Sequence, residues 1–277
     1  MKADLHLHTQ SSDGSDSASE ILKEAKRLNL KMISITDHDS VGSVKEAKNI
    51  GDQENIKVIS GVEFSVEHKT DMHIIGYFVD IENKAMNEKL EGLKEDRLKR
   101  VIRFIESLKL KNVEISLKDV QDCAYNGALS RAHIAEAIVK KGYVKDKDEA
   151  FFKYLNTESE AFVTKEKTSK EECIKLIHEA GGIAILAHPI YVYDEKFDYV
   201  LDELLSFGLN GMEAYHPDHS DEQAKMFEQI AIKKGMLITS GSDYHGLLKP
   251  EIKIGIENRT SEYLEYCIKL FYKKSIN

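Results

Sequence analysis

Short apolar runs rich in β-branched residues punctuate this chain, and each begins or ends on a residue with metal-ligand chemistry. Met32-Ile33-Ser34-Ile35-Thr36 leads into Asp37-His38-Asp39, and Val58-Ile59-Ser60-Gly61-Val62 leads into Glu63. His73 opens Ile74-Ile75-Gly76-Tyr77-Phe78, and Ile183-Ala184-Ile185-Leu186-Ala187 ends at His188-Pro189. Met212-Glu213-Ala214-Tyr215 ends at His216-Pro217, and Met236-Leu237-Ile238-Thr239-Ser240 runs into Gly241-Ser242-Asp243-Tyr244-His245. Such runs, separated by helix-period segments, predict buried parallel strands in βα units. In a β/α barrel the C-terminal strand ends share one rim, which carries the chemistry.

The helices follow from capping and periodicity. Ser17 and Glu20 have capping-box spacing before Ile21-Leu22-Lys23-Glu24-Ala25-Lys26-Arg27-Leu28, and a second helix is expected around Val44 to Ile50. From about Asn83 to Thr168 no strand with a terminal ligand occurs. Leu90, Leu93, Arg97, Val101, Phe104, Ile105 and Leu108 fit one long amphipathic helix; Ile134, Ala137 and Ile138 fit another, and Asp148 to Leu155 a third. The expected architecture is α/β: a barrel of about seven parallel strands from residues 1–82 and 169–277, with a helical insertion over 83–168 covering the rim of the site.

The first strand carries its own signal. In Asp4-Leu5-His6-Leu7-His8-Thr9, alternate residues share a face, so His6 and His8 can aim two nitrogens at one ion while Leu5 and Leu7 enter the core. Taken alone, the pair could equally be two solvent-facing histidines. The ligand types at the other strand ends favour a site assembled by the whole fold.

Composition changes the picture only at its edges. At 277 residues and 42% hydrophobic the chain can bury a sizeable core. No apolar stretch is long enough to span a bilayer, and Met1-Lys2-Ala3-Asp4 runs into the first strand without a signal peptide, so a cytoplasmic protein without a membrane partner is expected. Cys123, Cys173 and Cys267 lie far apart, which predicts neither a disulfide framework nor a thiolate site. The formal charge of −9 argues against duplex nucleic acid as a partner. It leaves phosphorylated substrates open, because bound divalent ions would invert the local field.

The ordered set Asp4-Leu5-His6-Leu7-His8-Thr9, Ser12-Asp13-Gly14, Ile35-Thr36-Asp37-His38-Asp39, Gly61-Val62-Glu63, His73, Ala187-His188-Pro189 and Gly241-Ser242-Asp243-Tyr244-His245 resembles the PHP (polymerase and histidinol phosphatase) superfamily of metal-dependent phosphoesterases. Tyr215-His216-Pro217-Asp218-His219 and Ser130-Arg131-Ala132-His133-Ile134-Ala135 resemble its stand-alone branch, which acts on nucleoside 3′,5′-bisphosphates and RNA 5′ ends. The resemblance implies a distorted barrel holding two to three divalent ions. One would be bound by His6, His8 and Asp243 with Glu63, a second by Asp13, His38 and His245, and a third by His73 and His188 sharing Glu63. Imidazoles and carboxylates without thiolate suit Mn²⁺ first, with Fe²⁺ or Zn²⁺ as alternatives. Clustered ions about 3.5–4 Å apart generate a bridging hydroxide, the expected nucleophile. No protein nucleophile is then needed, and Ser34, Ser65 and Cys123 lack an activating base.

The implied reaction is hydrolysis of phosphate monoesters of small nucleotides, above all the 3′-phosphate of nucleoside 3′,5′-bisphosphates, with 5′-to-3′ trimming of short single-stranded RNA. Histidinol-phosphate phosphatase is the alternative reaction. A non-catalytic PHP module docking on a polymerase is the alternative of another class, disfavoured by the lack of a polymerase-sized extension. Beside Glu63, His216 is the candidate catalytic group, binding phosphate or protonating the leaving alkoxide. Arg131 offers a planar fork for phosphate, and His219 is a second substrate-binding candidate.

Other residues have quieter expected roles. Asp4 and Asp37 should orient histidines from behind, and Asp39 should cap the next helix. His178 should face solvent and His68 a polar turn, while His133 either joins Arg131 or packs under the insertion. The run Lys94-Glu95-Asp96-Arg97-Leu98-Lys99-Arg100 reads as a solvated helix face; lining the cleft instead, it would favour polynucleotides.

Overall fold

In the computed structural model, residues 2–275 are described apart from 125–128, 157–158, 160–162, 164–166 and 256–260. Every apolar run forms a strand: β1 (Ala3–Leu7), β2 (Met32–Ile35), β3 (Lys57–Val66), β4 (Met72–Tyr77), β5 (Ile183–Leu186), β6 (Gly211–Tyr215) and β7 (Leu237–Ser240). The strands lie side by side in sequence order. Beyond β7, Tyr244 bridges back to Leu7; His8 N donates to Tyr244 O at 3.0 Å and Asp243 N to His6 O at 2.9 Å, so the sheet nearly closes into a barrel. Every residue of β1, β2, β4 and β6 is buried, as strands covered on both faces require.

One strand departs from the all-parallel expectation. β4 pairs antiparallel with both β3 and β5, whereas the remaining pairs are parallel. The reason is length: the link Glu67–Asp71 makes a tight reversal, while a parallel crossover needs a dozen or more residues. Reversal has a useful result. It places the beginning of β4, and with it His73, at the rim where the parallel strands end.

The barrel helices follow their caps and stripes. In α1 (Ala18–Arg27) the Ser17/Glu20 capping box is closed in both directions, and Ile21, Leu22 and Ala25 face inward. The second helix, α2 (Val44–Glu54), runs four residues beyond Ile50 and stops where Asn55 takes a left-handed conformation. Between β4 and β5 the chain forms α3 (Lys84–Leu110), α4 (Leu117–Gln121), α5 (Arg131–Lys140) and α6 (Lys147–Ala150), the last continuing as a π-turn over Phe151–Leu155. The crossover helices α7 (Lys170–Glu179), α8 (Phe197–Ser206) and α9 (Asp221–Lys233) and the terminal α10 (Glu262–Ser275) complete the barrel. His178 is exposed beside the buried stripe Cys173, Leu176 and Ile177. No helix among the described residues is long and apolar enough to cross a membrane.

Two cores meet along α3. Its first turns set Met86 and Leu90 into the barrel cluster of Leu5, Phe64, Tyr77, Met212 and Phe227. Further along, Val101, Phe104 and Leu108 join Val120, Ile134, Ile138 and Leu155 in a cluster of their own. We therefore read 83–168 as an insertion with its own core, fastened to the barrel by one continuous helix.

That reading predicts separable stability. Phe104→Ala should cost about 3–5 kcal/mol, and the loss should fall on the insertion. Urea unfolding followed by hydrogen exchange should show amides of α3–α5 losing protection first, with the barrel strands at their wild-type midpoint; uniform loss across both would contradict it.

Candidate metal centre

The rim collects its side chains from six strands. His6 and His8 come from β1 and its end, His38 from the turn after β2, Glu63 from within β3, His73 from β4, His188 after β5, and Asp243 and His245 after β7. Asp13 arrives on the loop before α1, beneath Gly14, where an added Cβ would lie 2.4 Å from His8 O. His188 and Asp243 both adopt positive φ, +25° and +54°. Such strain at non-glycine residues persists only where the surroundings impose it, and it concentrates at functional sites.

Glu63 is the centre of the cluster, and its two oxygens face different histidines. Oε1 lies 3.0 Å from His73 Nδ1 and 3.1 Å from His188 Nε2. Oε2 lies 2.8 Å from His38 Nδ1, 3.3 Å from His8 Nε2 and 3.4 Å from His6 Nε2. Asp243 Oδ1 sits 3.2 Å from His8 Nε2 and 3.4 Å from His6 Nε2, and Asp13 Oδ1 sits 3.3 Å from His245 Nε2. Three groups bring their donor atoms close enough to hold an ion: His6, His8 and Asp243; His8, Asp13, His38 and His245; and His38, Glu63 and His73. His8 and His38 thus stand between sets that the sequence treats as separate.

The ring orientations suit ligation. His6 Nδ1–H donates to Glu213 at 3.1 Å, and His245 Nδ1–H donates to Asp243 O at 2.8 Å, which turns each Nε2 toward the cluster. Ser12 Oγ lies 3.4 Å from His8 Nδ1 and itself donates to Asp37 Oδ1 at 2.6 Å, so Asp37 acts on His8 through a hydroxyl. His216 is turned differently. Its Nδ1 accepts from Asp218 N at 3.1 Å, so a neutral ring carries its proton on Nε2, 3.6 Å from Asp243 Oδ2. Glu63 Oε2 and Asp13 Oδ1 are buried yet make no hydrogen bond among the described residues. Buried orphan oxygens facing imidazole nitrogens form a donor set that divalent cations complete.

Electrostatics point the same way. Burial opposes ionisation of Glu63, Asp13 and Asp243, but the surrounding histidines hold all three well below the usual carboxylate range. Burial pushes His38 down to about 4 and also lowers His188, leaving neutral imidazoles. For His8 burial is outweighed by the neighbouring carboxylates of Asp243 and Glu63, and for His73 by those of Glu63 and Asp71; both rise to about 9.

All nine predicted ligands therefore converge, and His216 joins their edge. His219 lies behind it: Nδ1–H donates to Ala214 O at 2.9 Å and the ring packs on Phe227, the environment of a core histidine. The cluster opens on a cavity of about 310 Å³ lined in part by Ala132, Tyr191 and Lys249. Arg131, next to Ala132 at the start of α5, donates from Nη1 to Leu155 O at 3.3 Å. His133 caps that helix, accepting from Ser130 N at 3.1 Å, and His68 Nδ1 meets Thr70 Oγ1 at 2.8 Å in its turn.

Several expectations are corrected. Asp4 accepts from the backbone N–H groups of Ser242 and Gly255, at 3.0 and 2.6 Å, and so orients loops and no imidazole ring. Asp39 does not cap α2, whose N-cap is Ser43; it pairs at 2.5 Å with Arg97 of α3, both nearly buried. The charge run is no simple solvated face either. Because α3 leans over the turn after β2, Lys94 and Arg97 line a second cavity of about 370 Å³ that shares His38 with the first. Glu213 and Lys249 were missed. Glu213 lies within an apolar run, and its signal is a carboxylate at a core position of a buried strand, which needs a buried partner.

The chain matches the PHP domain over residues 4–271. It is 31% identical over 248 residues to a 5′-3′ exoribonuclease of Haemophilus influenzae, covering 88% of this chain and 90% of that protein. It is equally 31% identical over 247 residues to a 3′,5′-nucleoside bisphosphate phosphatase of Chromobacterium violaceum, covering 87% and 86%. A solved structure described as an amidohydrolase from Chromobacterium violaceum, with bound sulfate and no metal, superposes with a TM-score of 0.85 at 28% identity, covering 95% of this chain and 93% of that one. With fold, ordered motifs and rim geometry in agreement over nearly the whole length, the chain belongs to the PHP family of metal-dependent phosphoesterases.

Proposed function

We propose that this phosphoesterase removes the 3′-phosphate of nucleoside 3′,5′-bisphosphates and, at the same centre, trims short single-stranded RNA from its 5′ end. The observation that carries the reading is Glu63, buried with each oxygen turned to a different histidine set beneath a cavity of about 310 Å³. The two relatives supply the substrate class. The second cavity, which shares His38 with the first and has the exposed Lys94 on its wall, supports the RNA activity by giving room and a cation for a longer strand.

We assign one ion to His6, His8 and Asp243 with Glu63, a second to Asp13, His38 and His245, and a third to His73 and His188 sharing Glu63. Manganese is the proposed metal, with iron or zinc as alternatives, because the donors are imidazole and carboxylate without thiolate. Bound ions supply Lewis acidity and a water acidic enough to attack phosphorus at neutral pH. The chain does the rest. Glu213 and the Ser12–Asp37 pair fix the rings of His6 and His8. His216 presents Nε2–H to the phosphate or leaving oxygen, and His219 buttresses it. Arg131 opens α5 next to Ala132 of the cavity wall, and its planar fork can take a phosphate by paired, charge-assisted hydrogen bonds, which supports a role in phosphate capture.

Substrate choice is tested by phosphate release with Mn²⁺ from a 3′,5′-bisphosphonucleotide, a nucleoside monophosphate, histidinol phosphate and a short 5′-phosphorylated RNA. The bisphosphonucleotide should give the highest kcat/KM, with RNA above histidinol phosphate; histidinol phosphate ranking first would overturn the proposal. Glu63→Gln should remove more than one metal equivalent per chain by elemental analysis and abolish turnover, because one carboxylate serves two ions. Metal uptake should also depend on pH. His8 and His73 hold protons below about 9 in the metal-free protein, so an ion must displace them. Affinity by chelator competition should rise from pH 6.5 to 8.5 by about tenfold per unit for each proton released, and a flat profile would contradict that displacement.

A further inference from the structure

Asp243 is two-sided. Its Oδ1 faces the ligand nitrogens of His8 and His6 at 3.2 and 3.4 Å. Its Oδ2 accepts from Lys249 Nζ at 2.6 Å and lies 3.6 Å from His216 Nε2. Two groups able to donate to an anion thus gather on the face of Asp243 turned away from His6 and His8. Lys249 also lines the cavity above the cluster, beside His38, His73 and His188.

The local chain holds Lys249 in that place. Gly246 takes φ of +65°, where an added Cβ would sit 2.0 Å from Ser15 Oγ, and the turn that follows is pinned by Leu247 N donating to Ser15 Oγ at 2.9 Å. Lys249 N then donates to Gly246 O at 3.2 Å, folding the side chain back over the end of β7. A lysine serving only to neutralise Asp243 has no need of the cavity wall. This one has 39% of its side chain exposed against 9% for Asp243 and shares the cavity wall with it, so the ammonium is the more accessible of the two groups. An ammonium has three donors, and Asp243 engages one.

We infer that Lys249 is a phosphate-binding residue, its ammonium taking a non-bridging oxygen of the phosphoryl group that is hydrolysed. The chemistry calls for such a group. Bound ions would hold part of the phosphoryl group, but Asp71 and Asp243 also border the cavity, so an oxygen of the dianion that reaches that wall meets carboxylate repulsion. A fixed cation at the wall offsets that repulsion at the place where the phosphate docks. Asp243 keeps the ammonium oriented before substrate arrives. The inference rests on the phosphoesterase reading of this centre.

The test uses the full chain loaded with Mn²⁺ and inorganic phosphate as the probe, titrated calorimetrically, with metal content measured on the same samples. Lys249→Met should weaken phosphate binding about 10- to 100-fold at wild-type metal content and raise KM for every phosphate ester, an aryl phosphate included. Lys249→Arg should recover most of the loss, and Lys249→Gln repeats the measurement should the methionine variant fold poorly. Phosphate affinity unchanged by charge removal, or lost only in step with metal, would make Lys249 a clamp on Asp243 and overturn the inference. Wild-type protein that hydrolyses no phosphate ester would overturn the functional reading instead, while the phosphate titration still decides the role of Lys249.

Discussion

A fully buried carboxylate, that of Glu63, is the constraint around which this protein is built. Leaving Glu63 ionised inside the barrel would be costly on its own, and five imidazoles, from His6, His8, His38, His73 and His188, are what make the position tenable. Those rings come from strands and turns spread over most of the chain, so they meet only if every strand keeps its register. A slip of one residue would turn a ligand into the core and a leucine toward the ions. Close backbone approach follows from the same demand: at Gly241 an added Cβ would stand 2.1 Å from His6 Cβ, so the last strand can reach the first only through glycine.

Protons occupy part of the place that cations take in the loaded enzyme. With three carboxylates ionised and His6, His8 and His73 all drawn toward the charged form, the metal-free cluster is already close to balanced, whereas His38 and His188 wait as neutral bases. Loading is then an exchange of protons for ions within a rigid frame. Glu213 and Asp37 keep the rings aimed throughout, which is why the cluster can hold its geometry while its charge changes hands.

The convergence of the candidate ligands was legible in the sequence because all but Asp13, which comes on the loop before α1, lie on or just after an apolar run, and strand ends in a β/α barrel converge. The long helix of the insertion was legible for the same kind of reason, a sustained helical stripe from Leu90 to Leu108. The direction of β4 was obscured by composition, since Ile74-Ile75-Gly76-Tyr77 reads like the parallel strands; only the short Glu67–Asp71 link betrays the reversal. Partners distant in sequence left no trace. Arg97 meets Asp39 across 58 positions, Glu213 hides inside a run that looks purely structural, and Lys249 follows Gly246-Leu247-Leu248, a turn without period.

The Arg97–Asp39 pair shows how chemistry and selectivity are joined. Asp39 follows His38 directly and adopts φ of +51°, so whatever holds Asp39 also fixes the backbone from which His38 projects. Arg97 comes from α3, the helix whose far end belongs to the insertion's own core. With the side chains of Arg97 and Asp39 only 12% and 4% exposed, separating them would strand a charge in a poorly solvated place. The insertion is thereby tied to the cluster of candidate ligands itself. The barrel can keep one phosphoryl chemistry while substitutions along α3 and α5 reshape the two cavities that meet at His38, and the limit on such change is set by the residues, Arg97 foremost, that the cluster also needs.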